Sequence, residues 1–178
     1  MKRNTLITLA AGVIAASSWI PVAQAQDSMY MPSLTYRTGP FAGGGTPFAD
    51  GYVDYFNMLN ERDGGINGVK IVVDECETAY NTQKGVECYE ATKGNGALAY
   101  SPLSTGITLA LIPKAPVDEI PIFSMGYGLS AAAAGEQFPW TVVYPASYWN
   151  QLSSILKYIE AKGGIAGKKI GFIYLDVG

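Results

Sequence analysis

The sequence predicts an α/β fold, a parallel sheet flanked by helices, and three observations carry that reading. Short apolar runs alternate along the chain with segments whose apolar residues recur every three or four positions. Glycine pairs, Asn-Gly steps and prolines separate one kind of segment from the next. The stretch NERDGGINGVKI at 60–71 is echoed by EAKGGIAGKKI at 160–170, each reading as a helix end, a Gly-Gly turn and a strand. Strands alternating with helices of this length imply right-handed crossovers and a mostly parallel sheet. The echo suits two similar α/β lobes built in tandem.

The first residues read as an export signal. Lys2 and Arg3 form a basic start, an uncharged and mostly apolar run covers 6–20, and Pro21 breaks it. Ala23-Gln24-Ala25 supplies the small residues that signal peptidase accepts, so 1–25 is expected to be a cleaved signal peptide. The run is too short and too rich in Ala and Ser for a membrane span, and a retained anchor is the competing reading. No Cys lies near the cleavage point, which argues against a lipid anchor. The exported part is therefore expected in the periplasm.

From there the elements follow in order. Residues 31–36 form a first strand, 39–45 a loop, and Thr46-Pro47 reads as N-cap and first helical residue. Phe48, Tyr52, Tyr55, Phe56 and Leu59 lay an apolar stripe along a helix over 48–62. Asp63-Gly64-Gly65 stops it, and Asn67-Gly68 turns into a strand at 69–74. Asn81 or Thr82 opens a helix ending near Gly94, followed by a strand at 97–100 and a helix at 105–112. The 113–116 segment ends that helix, 120–124 is a strand, and 128–135 is an alanine-rich turn or short helix. A fifth apolar run covers 140–144. Ser147 caps an amphipathic helix through Ala161 with Leu152, Ile155, Leu156 and Ile159 inward. Gly163-Gly164 ends it, and 169–175 is a closing strand. In parallel sheets ligands sit beyond the carboxyl ends of the strands. The ligand-facing loops are thus predicted at 38–46, 75–81, 101–105 and 125–130.

Composition removes several functions. Without Lys2 and Arg3 the twelve basic residues fall to ten, against fifteen acidic ones. No basic run appears, which argues against nucleic acid and anionic lipid as partners. The chain has no His, so the usual triad base and the commonest metal ligand are missing, and no cofactor or metal is expected. The two cysteines, Cys76 and Cys88, lie in the exported part, where an even count favours a disulfide over metal binding or a catalytic thiol.

Several motifs together resemble the leucine/isoleucine/valine-type periplasmic binding proteins, the solute-binding subunits of ABC transporters. They are Gly39-Pro40-Phe41-Ala42, Gly51, Leu59-Asn60 with the Gly64-Gly65-Ile66-Asn67-Gly68 turn, and the strand into Asp74-Glu75-Cys76. The Ser/Thr-rich turn 101–105, Ile120-Pro121-Ile122-Phe123-Ser124 and Lys169-Ile170-Gly171-Phe172 complete the set. The resemblance implies two α/β lobes that close on a small solute, with 26–144 as an incomplete first lobe. Residues 145–178 would then begin a second lobe, truncated here because family members are much longer. It also implies an inner-membrane permease as partner, a monomer at full length, and a solute held by its charged end. By position, Ser104 and Thr105 match the first holding turn, and Gly126, Tyr127 and Gly128 the second. Tyr148 and Trp149 fall where the family often places an aromatic wall, or else they are ordinary helix-start packing. Gly43-Gly44-Gly45 departs from the pattern, standing where larger side chains are usual. It implies a wider pocket for a ligand larger than leucine, including an aromatic one.

Three rival readings are weaker. Asp74, Glu75 and Glu77 imitate an acid/base pair, but a solvated loop edge explains them more cheaply. Gly126-x-Gly128-x-x-Ala131 imitates a dinucleotide fingerprint, yet no acid follows at the end of the next apolar run. The same fold also serves as a ligand sensor for membrane receptors. Non-covalent capture of an amino acid or similar small carboxylate is the expected function, with no catalytic residue.

Overall fold

The computed structural model describes residues 28–174, and the expected signal peptide lies outside them. Strands β1 (Ser28–Thr35) and β2 (Lys70–Glu77) pair in parallel, from Ser28 opposite Lys70 to Thr35 opposite Glu77. Strands β3 (Ile122–Ser124) and β4 (Thr141–Val143) form a second parallel pair. The segment expected as a strand at 97–100 contributes only isolated parallel bridges, Tyr30 to Ala97 and Tyr100 to Ile122. Those bridges join the pairs into the order β2, β1, 97–100, β3, β4. β3 begins later than the apolar run suggests because Pro121 has no N–H for the ladder, although its carbonyl accepts from Tyr100 N.

The described residues form five α-helices, α1 (Ala42–Arg62), α2 (Thr82–Thr92), α3 (Thr105–Leu111) and α4 (Ala115–Asp118) between strands and α5 (Tyr148–Ala161) after the last one. Asn81 and Ser147 cap as the sequence predicts, and Ser104 caps as well. Asn81 accepts from Lys84 N, Ser104 from Ile107 N, and Ser147 forms a capping box with Asn150. The start of α1 differs. The Gly44 and Gly45 amides both reach the Phe41 carbonyl at 3.0 Å, closing a turn ahead of Pro47. Pro47 therefore lies inside the helix, not at its first position. The short α4 occupies ground expected to be non-helical, with Pro116 in its first turn, where a missing N–H costs nothing.

The two faces of the sheet are covered differently. Leu34, Tyr100 and Ile122 pack with Cys88 and Tyr89 of α2 and Ile107 and Leu111 of α3 into one core. Residues on opposite faces alternate along a strand, so Met31 faces the other way and meets Tyr52 of α1 across a cavity of about 260 Å³. Gly85 lets α2 approach α3, because a Cβ there would sit 2.7 Å from the Ile107 side chain. The Cys76–Cys88 disulfide ties β2 to α2 across a 12-residue separation, with the Cα atoms 5.8 Å apart.

The expected inward face of α5 is not packed by the described residues: Ile155 is 55% exposed and the helix buries none of its side chains. Nor do 169–174 form a strand, since no described strand offers them a ladder, and Ile173 is fully open. The turn echo nevertheless holds in three dimensions. Gly64 and Gly65, like Gly163 and Gly164, adopt left-handed φ, and Val69 N to Ile66 O is repeated as Lys168 N to Ile165 O.

The glycines of α1 separate packing from propensity. Gly45 is buried, and a Cβ there would lie 2.1 Å from the Tyr36 carbonyl, so its bareness serves close packing and not pocket width. Gly51 is exposed with open space around it. Gly45→Ala is expected to destabilise by about 1–3 kcal/mol, and Gly51→Ala to stabilise by up to about 1 kcal/mol. Urea denaturation of the two variants checks both signs. The same measurement on the Cys76→Ser/Cys88→Ser variant should show a loss of about 2–3 kcal/mol from the opened loop.

Candidate functional site

β1 is followed through α1 by β2 on one edge, and the chain then returns through α2 to 97–100 on the other. The strand order reverses at β1, and a crevice opens beyond the carboxyl ends of strands at such a point. Tyr36 follows β1 at this mouth, and residues 101–105 follow the 97–100 segment.

Two turns at the mouth are locked together by a relay of hydroxyls. The Gly126 amide donates to Ser124 Oγ at 2.8 Å, and Ser124 and Thr108 hydroxyls lie 2.5 Å apart. Thr108 Oγ1 in turn donates to the Ser104 carbonyl at 2.8 Å. Each hydroxyl has one proton, so the chain runs in one direction, from Gly126 to Ser104. Gly126 must be bare, since a Cβ would lie 2.9 Å from Thr105 Cα. Gly128 N donates to Thr105 Oγ1 at 3.3 Å, and Tyr127 O accepts from Tyr148 N at 2.8 Å.

The sequence-derived residues therefore divide. Thr105, Gly126, Tyr127, Gly128 and Tyr148 come together, with the Tyr127 and Tyr148 rings 5.6 Å apart. Ser104 is beside them, but its buried hydroxyl caps α3. The Gly126, Tyr127 and Gly128 amides already have acceptors in Ser124, Met125 and Thr105. The Thr105 and Gly106 amides have no acceptor among the described residues, and the Thr105 hydroxyl proton is also left over. Trp149 is 69% exposed on α5, and its ring meets no other among the described residues.

Aromatic residues from the first two loops were not singled out from the sequence. Tyr36 stands edge-on to Tyr80 at 5.0 Å, and Phe41 packs on Tyr80 at 4.4 Å. Burial raises the Tyr36 pKa first, and then the nearby Tyr80, Tyr127 and Tyr148 phenols raise it further. A ring within three residues of each strand end, Tyr36 after Thr35 and Tyr80 after Glu77, was the available signal. The contact between them needs the β1–β2 pairing to be known.

The loop that carries Tyr80 is held in an uncommon conformation, with Ala79 at φ 51° and Tyr80 at φ 60°. Glu77 fixes it: its carboxylate accepts from Arg37 N at 2.7 Å, Thr38 Oγ1 at 2.9 Å and Ala79 N at 2.8 Å. Glu75 binds the Arg37 guanidinium through two 2.7 Å bonds, Asp50 takes its third side, and Asp74 accepts from Tyr30. Asp74 and Glu77 are exposed, as a loop edge implies, and the cluster also clasps the β1 and β2 ends together. No group of His, Cys, Asp and Glu that could hold a metal ion occurs among the described residues. Among them, also, no helix is long and apolar enough to cross a membrane.

Parallel strands flanked by helices and ending in two locked turns form one α/β lobe. The family model for periplasmic binding proteins matches residues 29–178, and the chain belongs to that family. A solved structure described as an ABC transporter permease from the Pseudomonas fluorescens group is 38% identical, with a TM-score of 0.71 over 78% of this chain and 35% of that one. A branched-chain amino acid ABC transporter from Thermus thermophilus with bound valine is 21% identical, with a TM-score of 0.69 over 78% and 36%. A solute binding protein from Rhodopseudomonas palustris BisB5, in complex with 3,4-dihydroxybenzoic acid, is 21% identical, with a TM-score of 0.63 over 79% and 38%. The chain spans about a third of the length of these structures. A comparison with curated proteins finds no match.

The clasp gives a pH test. Burial pushes the Glu77 carboxyl up, but the converging N–H and O–H donors outweigh it and hold its pKa below the ordinary 4.5. A carboxylate with a depressed folded pKa stabilises in full above its unfolded value and loses that contribution as pH falls through the folded value. Wild type should therefore melt above Glu77→Gln at neutral pH. The gap should close as the pH is taken below the ordinary glutamate range, as followed by thermal melts across that series.

Proposed function

We propose that this chain carries the first ligand-binding lobe of an extracytoplasmic solute-binding subunit, which captures a small carboxylate and delivers it to an inner-membrane ABC permease. Residues 1–25 would direct export, 26–144 would form the lobe, and 145–178 would begin the second. The observation that carries the reading is the pair of free amides at Thr105 and Gly106 beside the Thr105 hydroxyl, gathered where the strand order reverses. Several N–H and O–H donors converging on one point suit a carboxylate, and no covalent chemistry is required of them. Tyr127, Gly128 and Tyr148 would border the ligand, while Ser104 and Gly126 would hold the donors in place.

The family is one of binding proteins, which agrees with the absence of histidine from the chain. Relatives are described with bound valine or 3,4-dihydroxybenzoic acid, and one as a fatty acid ABC transporter substrate-binding protein. Carboxylates are common to all three, so the anionic end is the part of the ligand this reading assigns.

Amide-resolved NMR titration tests it at the millimolar concentrations one lobe requires. Valine, a short fatty acid and benzoate should each shift the Thr105, Gly106 and Gly128 amides, and the corresponding primary amides should not. Thr105→Val should remove the shifts while leaving the spectrum dispersed. Carboxylates that move no resonance in the 101–106 and 125–129 turns would overturn the proposal.

A further inference from the structure

Resting on that reading, we infer that the solute is a carboxylate bearing a flat ring, selected by an aromatic wall made of Tyr36, Phe41 and Tyr80. This wall comes from the β1–α1 and β2–α2 loops and is separate from the Tyr127–Tyr148 pair across the mouth. Three features support it.

The rings are placed by the scaffold and do not merely cluster by default. Tyr36 lies against the bare backbone of Gly45, where a Cβ would come within 2.3 Å of its ring. Tyr80 is presented by two consecutive left-handed residues, which the Glu77 carboxylate and the Thr78 hydroxyl hold by accepting from Ala79 N and Tyr80 N. The Cys76–Cys88 bridge spans the same loop. Holding non-glycine residues at positive φ is costly, and the Glu77 and Thr78 bonds sustain that cost here.

The wall also stays partly open. Phe41 is 40% exposed, and Tyr36 and Tyr80 are half-buried, so ring faces remain for a ligand to cover. Aromatic pairs favour offset-stacked or edge-to-face contacts, which a planar ligand ring makes and a puckered one does not.

The open hydrogen-bonding capacity at the mouth suits an anion. The carboxylates nearest the wall are already bound, Glu77 by three loop donors and Glu75 by Arg37. The free groups there are hydrogen-bond donors.

The experiment compares benzoate with cyclohexanecarboxylate, which has the same charge and nearly the same size but no planar face, by the same NMR titration. Benzoate should bind about threefold to tenfold more tightly. Tyr80→Leu should abolish that ratio, whereas Tyr80→Phe should keep it. Equal affinity for the two acids in wild type overturns the inference on its own, whatever the variants do, and leaves carboxylate capture standing. A ratio unchanged in Tyr80→Leu overturns the wall's part in it. If neither acid shifts the Thr105, Gly106 and Gly128 amides, the capture reading fails and this inference fails with it.

Discussion

β1 is hydrogen-bonded along one edge to β2 and bridged on the other to the 97–100 segment, and the rest of the lobe depends on that double pairing. It brings Tyr36 next to Tyr80 through β2, and next to the 101–105 turn through 97–100. It also sets Ser33, Thr35 and Arg37 on the same face as Glu75 and Glu77, so the clasp follows from the register. A slip of one residue would turn Arg37 away from Glu75 and carry Leu34 out of the core. The Asn60 side chain guards against that slip, accepting from Ile71 N and donating to Ile71 O at the start of β2.

Polar groups in the lobe divide into those that build the mouth and those left over for a ligand. Ser124, Thr108 and the Ser104 carbonyl are buried and satisfy one another, so the turn they support is fixed without a ligand. Preformed donors lose little freedom when a ligand arrives. Arg37 stands two residues past the tip of β1, but Asp50 and Glu75 hold its guanidinium. The remaining donors are neutral.

Local chemistry was legible in the sequence, and non-local chemistry was not. The caps at Asn81 and Ser147 and the Gly64-Gly65 stop are set by neighbouring residues, and each appears where its side chain indicates. The parallel α/β class followed from alternation alone. The α1 start was misplaced because Thr46-Pro47 mimics a helix opening, while the turn that forms uses only backbone donors of Gly44 and Gly45. The roles of Glu75 and Glu77 depend on Arg37 and Thr38, some forty residues away. Likewise the resemblance assigned Ser104 to the ligand, and only the structure shows its hydroxyl capping α3.

The same division bounds how tightly this lobe can hold a ligand. Three neutral hydrogen bonds contribute about 1 kcal/mol each and a ring contact about another 1 kcal/mol. About 4 kcal/mol corresponds to a Kd of about 1 mM, before the cost of association is subtracted. Tighter binding requires the ligand's outer side to be covered as well. Phe41 and Tyr148 are 40% and 59% exposed in this lobe. On the proposed reading, a mouth built this way captures loosely and leaves the larger part of the affinity to contacts made beyond this lobe.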